Sequence, residues 1–250
     1  MVAEKSVPEK RISEFVERLK QAAGENLESV VLYGSAVRGD YEPDYSNINL
    51  MVFLKETSLA KLLALAPVVE EWVGKKHRAP LLITRDEMER SADVFAIELM
   101  DMKSQHRVLF GPDFVASLQI PMHLHRAQLE YELREKLILL RQRLLVDSRD
   151  EARTWHLLLR SLPAFATLFR HALIALGDAS PAARRDAVQA LSTRVGFDPT
   201  ALNQVLDVRE HKAASKKIDI NDLVARYLAA IEKVTAAVDE ALDSDASGRA

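Results

Sequence analysis

Cysteine is absent from all 250 residues, which excludes disulfides, a thiol nucleophile and any thiolate metal site. An excess of one charge is missing too, because 34 Lys and Arg stand against 37 Asp and Glu. That balance argues against a protein whose whole surface binds nucleic acid. No apolar run approaches membrane-spanning length on reading, and the opening residues, MVAEKSVPEKR, lack the apolar core of an export signal. A soluble cytoplasmic protein is therefore expected. Hydrophobic residues make up 48% of the chain, enough for ordinary cores. The length exceeds that of a usual single domain, so two domains are expected.

The stretch 30–54, VVLYGSAVRGDYEPDYSNINLMVFL, organises the first half. Two short apolar runs, 30–33 and 48–54, are β-branched and read as strands. Between them Gly34-Ser35 lets the backbone approach an anion and present amide N–H groups to it, while Arg38 adds a fixed positive charge. A Gly-Ser dipeptide alone is only a turn. The spaced pattern Leu32-Tyr33-Gly34-Ser35, Arg38-Gly39-Asp40 and then a second strand is far more specific.

That order of features resembles the nucleotidyltransferase superfamily, whose sheet is shared with DNA polymerase beta. The resemblance implies nucleotide and phosphate binding at Gly34, Ser35 and Arg38. It also implies a pair of metal-binding aspartates on the second strand, where this sequence has Asn47 and Asn49. Strand alternation predicts that the two share one face. Magnesium sheds its waters reluctantly and is held by carboxylates plus substrate phosphates. Each lost carboxylate charge forfeits roughly 4 kcal/mol per unit of ion charge, taking a separation of about 4 Å and an effective dielectric near 20. Mg2+ is thus expected only if it arrives already chelated by a nucleotide such as ATP. The alternative reading of Asn47 and Asn49 is local satisfaction of backbone groups. Asp40 and Asp44 read as turn formers in the connecting loop.

Around this motif the sequence predicts a helix over 8–23 with Ser6 near its cap, a helix from Thr57 or Ser58 to about 72 containing Pro67, and a strand over 79–84. A capping box at Thr84 to Glu87 opens a short helix. Residues 94–102 fit strand or helix, and 107–111 a last extended piece. By the resemblance, a third carboxylate belongs on a later strand. Glu98 is the candidate catalytic residue, Asp101 the second choice, and a solvated Glu98 the alternative.

From residue 121 the periods become long and helical. Helices are expected over 123–146, 151–176, from Ser180-Pro181 to 195, from Asp198-Pro199 to about 213, and over 219–242, forming a mostly up-and-down bundle. The arrangement resembles kanamycin nucleotidyltransferase and its relatives. By that analogy Arg134 and Arg141 are candidates to face a triphosphate, against the plainer reading of a solvated face with Glu130, Glu132 and Glu135 as partners. Arg149 and His156 match a ribonuclease-type spacing, but chance supplies roughly two such matches here. His123 and His125 read as surface or cap residues, and His106, His171 and His211 lack partners at ligand spacing.

The expected fold is an α+β N-terminal unit with a nucleotidyltransferase-type mixed sheet and flanking helices over 1–118. An all-α up-and-down bundle follows over 119–243, then a disordered tail over 244–250. The expected function is binding of a nucleotide or phosphate ligand at a degenerate metal site without efficient transfer. An active, metal-dependent transferase moving a nucleoside monophosphate to a hydroxyl is the alternative. A non-catalytic interaction partner, with an exposed apolar surface on the bundle, is the third reading.

Overall fold

The computed structural model describes residues 7–179, 181 and 183–247, the side chains of 241–247 excepted. They form two compact units that divide between Met122 and His123. The cap expected at Ser6 lies outside the described residues.

The first unit opens with α1 (Glu9–Ala23), whose Ile12, Phe15, Val16 and Leu19 are buried at helical spacing. Then follow β1 (Leu27–Tyr33), a single helical turn α2 (Ser35–Arg38) and β2 (Asn49–Leu54). Next come α3 (Leu59–Gly74), β3 (Leu81–Ile83), α4 (Arg85–Arg90), α5 (Ala96–Ser104) and β4 (His106–Phe110). The sheet order is β3-β2-β1-β4, with β1 antiparallel to both β2 and β4 and β2 parallel to β3. The central strands are covered on both sides, which explains their unbroken apolar runs. Val30, Leu32, Leu50, Val52 and Leu54 pack with α1 and α3. Val31, Met51 and Phe53 pack with Met88 of α4 and with Leu99 and Met102 of α5.

Thr84 and Glu87 make the expected capping box: Glu87 N–H donates to the Thr84 hydroxyl and Thr84 N–H to the Glu87 carboxylate. The ambiguous run 94–102 resolves as helix, because Ala96, Leu99 and Met102 are buried at a spacing of three. Glu98 and Asp101 therefore ride on a helix, α5, and not on a strand, where the resemblance would put a third carboxylate.

The second unit holds α6 (His125–Asp147), α7 (Glu151–Ala175), α8 (Arg184–Val195), α9 (Thr200–Arg209) and α10 (Ile220–Ser247). The helix expected from Ser180-Pro181 begins at Arg184 instead, with residue 180 outside the described set. The last helix continues through 244–247, where a tail was expected, and 248–250 lie outside the described residues. At the centre stands α7, in contact with α6, α8, α9 and α10. It is long and apolar enough to cross a membrane by length and composition, which corrects the reading that no such run exists. Most of its apolar window is buried inside the unit, the setting of a core helix.

Pro163 sits inside α7 and carries no N–H, so the carbonyl of Leu159 loses its helical donor. The buried Arg209 of α9 fills the gap, its Nη1 donating to Leu159 O at 2.7 Å. His125 and His171 are also buried, with Nε2 of the first 2.8 Å from Nδ1 of the second. This pairing differs from the sequence expectation, which puts His125 at the surface or a cap and His171 without a partner at ligand spacing. On α6 the apolar side chains of Tyr131, Ile138, Leu145 and Val146 are exposed.

Candidate functional site

The site begins where β1 ends. After Tyr33 the backbone turns at Gly34 with φ 80°, in the region that disfavours a side chain. Val37 and Arg38 N–H groups return to Gly34 O at 3.0 and 3.1 Å, closing the turn. The amides of Ser35 and Ala36 head this turn, where helical N–H groups have no intrahelical acceptor. Ser35 is buried, and Gly39 ends the turn in the left-handed region.

Register places Asn49, the first residue of β2, opposite Tyr33. Its Nδ2 lies 2.7 Å from the position a Cβ on Gly34 would take, so the amide fills the space a side chain there would need. Pleating puts Asn49 on the side of Met51 and Phe53, hence on the face covered by α4 and α5. Asn47 behaves differently. It is exposed and precedes the strand, so the pair predicted to share a strand face is only half realised.

Arg38 is mostly shielded and reaches two carboxylates, with Nη1 3.6 Å from Asp101 Oδ2 and Nε 3.9 Å from Asp40 Oδ2. These separations exceed a charge-assisted hydrogen bond of about 2.7–2.9 Å, so the guanidinium keeps donor capacity for an anion. Of the two α5 carboxylates, it is Asp101 that approaches Arg38. Glu98 is exposed one turn earlier and acts on Tyr33 instead. Burial pushes the Tyr33 phenol above its ordinary value, the Arg78 charge opposes that, and the Glu98 charge adds to it. Tyr33 and Arg78 received no role from the sequence. The available signals were the place of Tyr33 immediately before the turn and the basic run Lys75-Lys76-His77-Arg78.

These donors do not fit a pair of protein-held divalent ions. Asn49 offers a neutral amide, Asn47 stands off the strand, and Asp101 faces Arg38. Among the described residues no three His, Asp or Glu side chains are grouped to hold a metal. Two open pockets, of about 760 and 640 Å3, lie on the α1–α3 side and are lined by none of Gly34, Ser35, Arg38, Asn49 or Glu98. Volume and chemistry thus point to different places on the unit. In the second unit Arg134 pairs with Glu130 and Asp239, both at 2.7 Å, and Arg141 with Glu232 at 2.6 Å. Their charges are met within that unit, by Glu130 as the plainer reading expects and otherwise by Asp239 and Glu232 of α10.

Residues 11–104 match the family model of the nucleotidyltransferase domain. Among solved structures, spectinomycin adenyltransferase AAD(9) from Enterococcus faecialis, crystallised with ATP and spectinomycin, matches with a TM-score of 0.59. The match covers 92% of this chain and 99% of that one at 15% identity. At that identity it shows the fold: a small mixed sheet with flanking helices, then a helical unit. No curated protein matches this chain. The nucleotidyltransferase resemblance and the fold class read from the sequence are both borne out.

Proposed function

Taking residues 11–104 as a nucleotidyltransferase domain, we propose that the protein binds the phosphates of a nucleotide at the Gly34 turn and does not transfer a nucleotidyl group efficiently. The observation that carries this reading is the Asn49 amide packed against Gly34, at the strand position where the family resemblance calls for a carboxylate. The turn amides of Ser35 and Ala36 and the guanidinium of Arg38 supply the anion contacts. The charge on the nucleotide is met by Arg38 and by whatever Mg2+ it carries, with no carboxylate pair contributed by the protein. The solved structure with ATP bound supports a nucleotide as the ligand class. The protein would act in the cytoplasm, where nucleoside triphosphates are found.

Isothermal titration with magnesium ATP tests the proposal. Saturable heat in the micromolar to millimolar range, lost in Arg38→Gln, is the expected result. No heat at millimolar ligand removes the binding claim.

One observation favours a second reading. Glu98 and Asp101 lie one helical turn apart on α5, on the sheet face that Asn49 shares. In a working transferase Glu98 would be the catalytic carboxylate, and product would form from labelled ATP and a hydroxylated acceptor. Glu98→Gln would then stop the reaction while leaving nucleotide binding intact.

A further inference from the structure

A second collection of cationic groups in the first unit lies outside the Gly34 turn. On the α1–α3 side of the sheet, the first turn of α1, the connection between α2 and β2 and the end of α3 enclose an open pocket of about 640 Å3. Topology places it at the same end of the sheet as Gly34. Glu9 of α1 bonds Arg107, which pairs with Leu32 near the end of β1, and the 75–78 run leads directly into β3. The lining nonetheless shares no residue with the turn.

Four fixed cations, Lys10, Arg11, Lys75 and Lys76, line this pocket together with His77. The one carboxylate in the lining, Glu9, is engaged by Arg107 at 2.6 Å. Lys75 is paired with Glu71 at 2.8 Å. Among the described residues no carboxylate pairs with Lys10, Arg11 or Lys76. All four cations are exposed, so water and salt screen much of their mutual repulsion, and a bound anion would offset what remains.

Two details mark the pocket as built. Lys76 has φ 66°, in the left-handed region where a helix end ordinarily carries glycine. A lysine is thus kept at a position its backbone disfavours. His77 stacks on Trp72 with ring centroids 4.0 Å apart, and its Nε2 is shielded from solvent without a hydrogen-bond partner among the described residues. Burial, then the charges of Arg11 and Lys75, holds its pKa below the ordinary value. Tyr41 faces the same Arg11 charge from the connection.

We propose that this pocket is a second anion site, separate from the Gly34 turn, for a phosphate-type oxyanion of charge −2 or greater. Arg11, Lys10 and Lys76 are its principal ligands, and His77, stacked on Trp72 behind it, forms part of its wall. The proposal does not depend on nucleotide binding at Gly34. The oxyanion is either free phosphate or pyrophosphate, or the phosphate tail of a nucleotide.

Trp72 reports on the site through its stack with His77. The chain has two tryptophans, so Trp155→Phe leaves Trp72 as the lone fluorophore. In that background the protein is titrated with inorganic phosphate, pyrophosphate and ATP, each against sodium chloride of equal ionic strength. A saturable fluorescence change is expected, with Kd weakened at least tenfold by Arg11→Gln and by Lys76→Gly, and unchanged by Arg38→Gln. Lys76→Gly is also expected to raise the thermal midpoint, since glycine relieves the backbone. Loss of affinity in a more stable protein separates ligand binding from a structural role. Saturation by phosphate and pyrophosphate supports a free oxyanion, and saturation by ATP alone supports a nucleotide tail. A response that sodium chloride reproduces, that survives both Arg11→Gln and Lys76→Gly, or that vanishes in Arg38→Gln overturns the proposal.

Discussion

Asn49 and Gly34 are fitted to each other across the β1–β2 pair: the Asn49 amide nitrogen lies 2.7 Å from the point where a Gly34 side chain would start. The φ of 80° at Gly34 sets a second, independent demand for glycine. Gly34→Ala is therefore expected to lower stability by roughly 2–3 kcal/mol, about 1–2 of it from the positive φ that only glycine adopts readily. Adding Asn49→Ala should restore only the part due to the clash. Denaturant midpoints of the two single variants and the double variant check this. Additive losses would mean that the two residues do not meet.

The proposal that amides stand where the family resemblance calls for carboxylates has a direct test in Asn47→Asp combined with Asn49→Asp. Asn49 is on the strand beside the turn and Asn47 is exposed ahead of it, so the two changes should not contribute equally. Calorimetric titration with Mg2+ is expected to show binding in the double variant, with Asn49→Asp alone giving the larger share. Equal contributions, or a dominant one from Asn47→Asp, would show that the metal position is not the one argued from Gly34.

Tyr33 stands between opposite charges, which makes its titration a probe of the site. Burial raises its pKa, Arg78 lowers it and Glu98 raises it. Glu98→Gln should bring the Tyr33 midpoint down, and Arg78→Gln should move it up. Burial keeps it above the usual phenol value in both. Absorbance titration of each protein against its Tyr33→Phe counterpart isolates the signal. Movement in the opposite sense for either variant would remove that residue from the rim of the site.

The first unit was legible because its constraints are local. Residues 30–33 and 48–54 carry β-branched runs on either side of a glycine turn, and Thr84 with Glu87 announces a helix start. What escaped reading depends on distant partners. Whether Glu98 sits on a strand or a helix is decided by which side of 96–102 packs under the sheet, and that face is built from β1, β2 and residues 115–118. Asn47 and Asn49 are two apart, which suits one strand face, but β2 begins only at Asn49, so the alternation rule had nothing to act on at Asn47. The basic pocket draws on α1, the 39–48 connection and the end of α3, three segments with no shared sequence signal.

Arg209 and Pro163 form a relationship of this distant kind. Proline removes the donor to Leu159 O, and an arginine fifty residues away supplies another at 2.7 Å. Arg209→Leu leaves that buried carbonyl without this donor, at an expected cost of about 2–3 kcal/mol. In a Pro163→Ala background the helix provides its own N–H, so the same change should cost less. A double-mutant cycle by urea denaturation reads the coupling directly. No coupling would mean that the proline and the arginine act separately.

The buried pair His125 and His171 ties stability to pH. One ring nitrogen donates to the other across 2.8 Å, an arrangement that needs a lone pair and hence a neutral ring. Burial first, then the charges of His171 and Arg126, lowers the pKa of His125 to about 4, against an ordinary 6.5. The folded state thus binds fewer protons than the unfolded chain between these values, and stability rises with pH across that window. The contribution is fully present above about pH 6.5 and is lost as pH falls toward 4, with a total on the order of 3 kcal/mol. Denaturation midpoints should therefore drop between pH 7 and pH 4.5 by more in the native protein than in His125→Gln, which has no ring to protonate. Equal drops in the two proteins would assign the acid sensitivity to other groups.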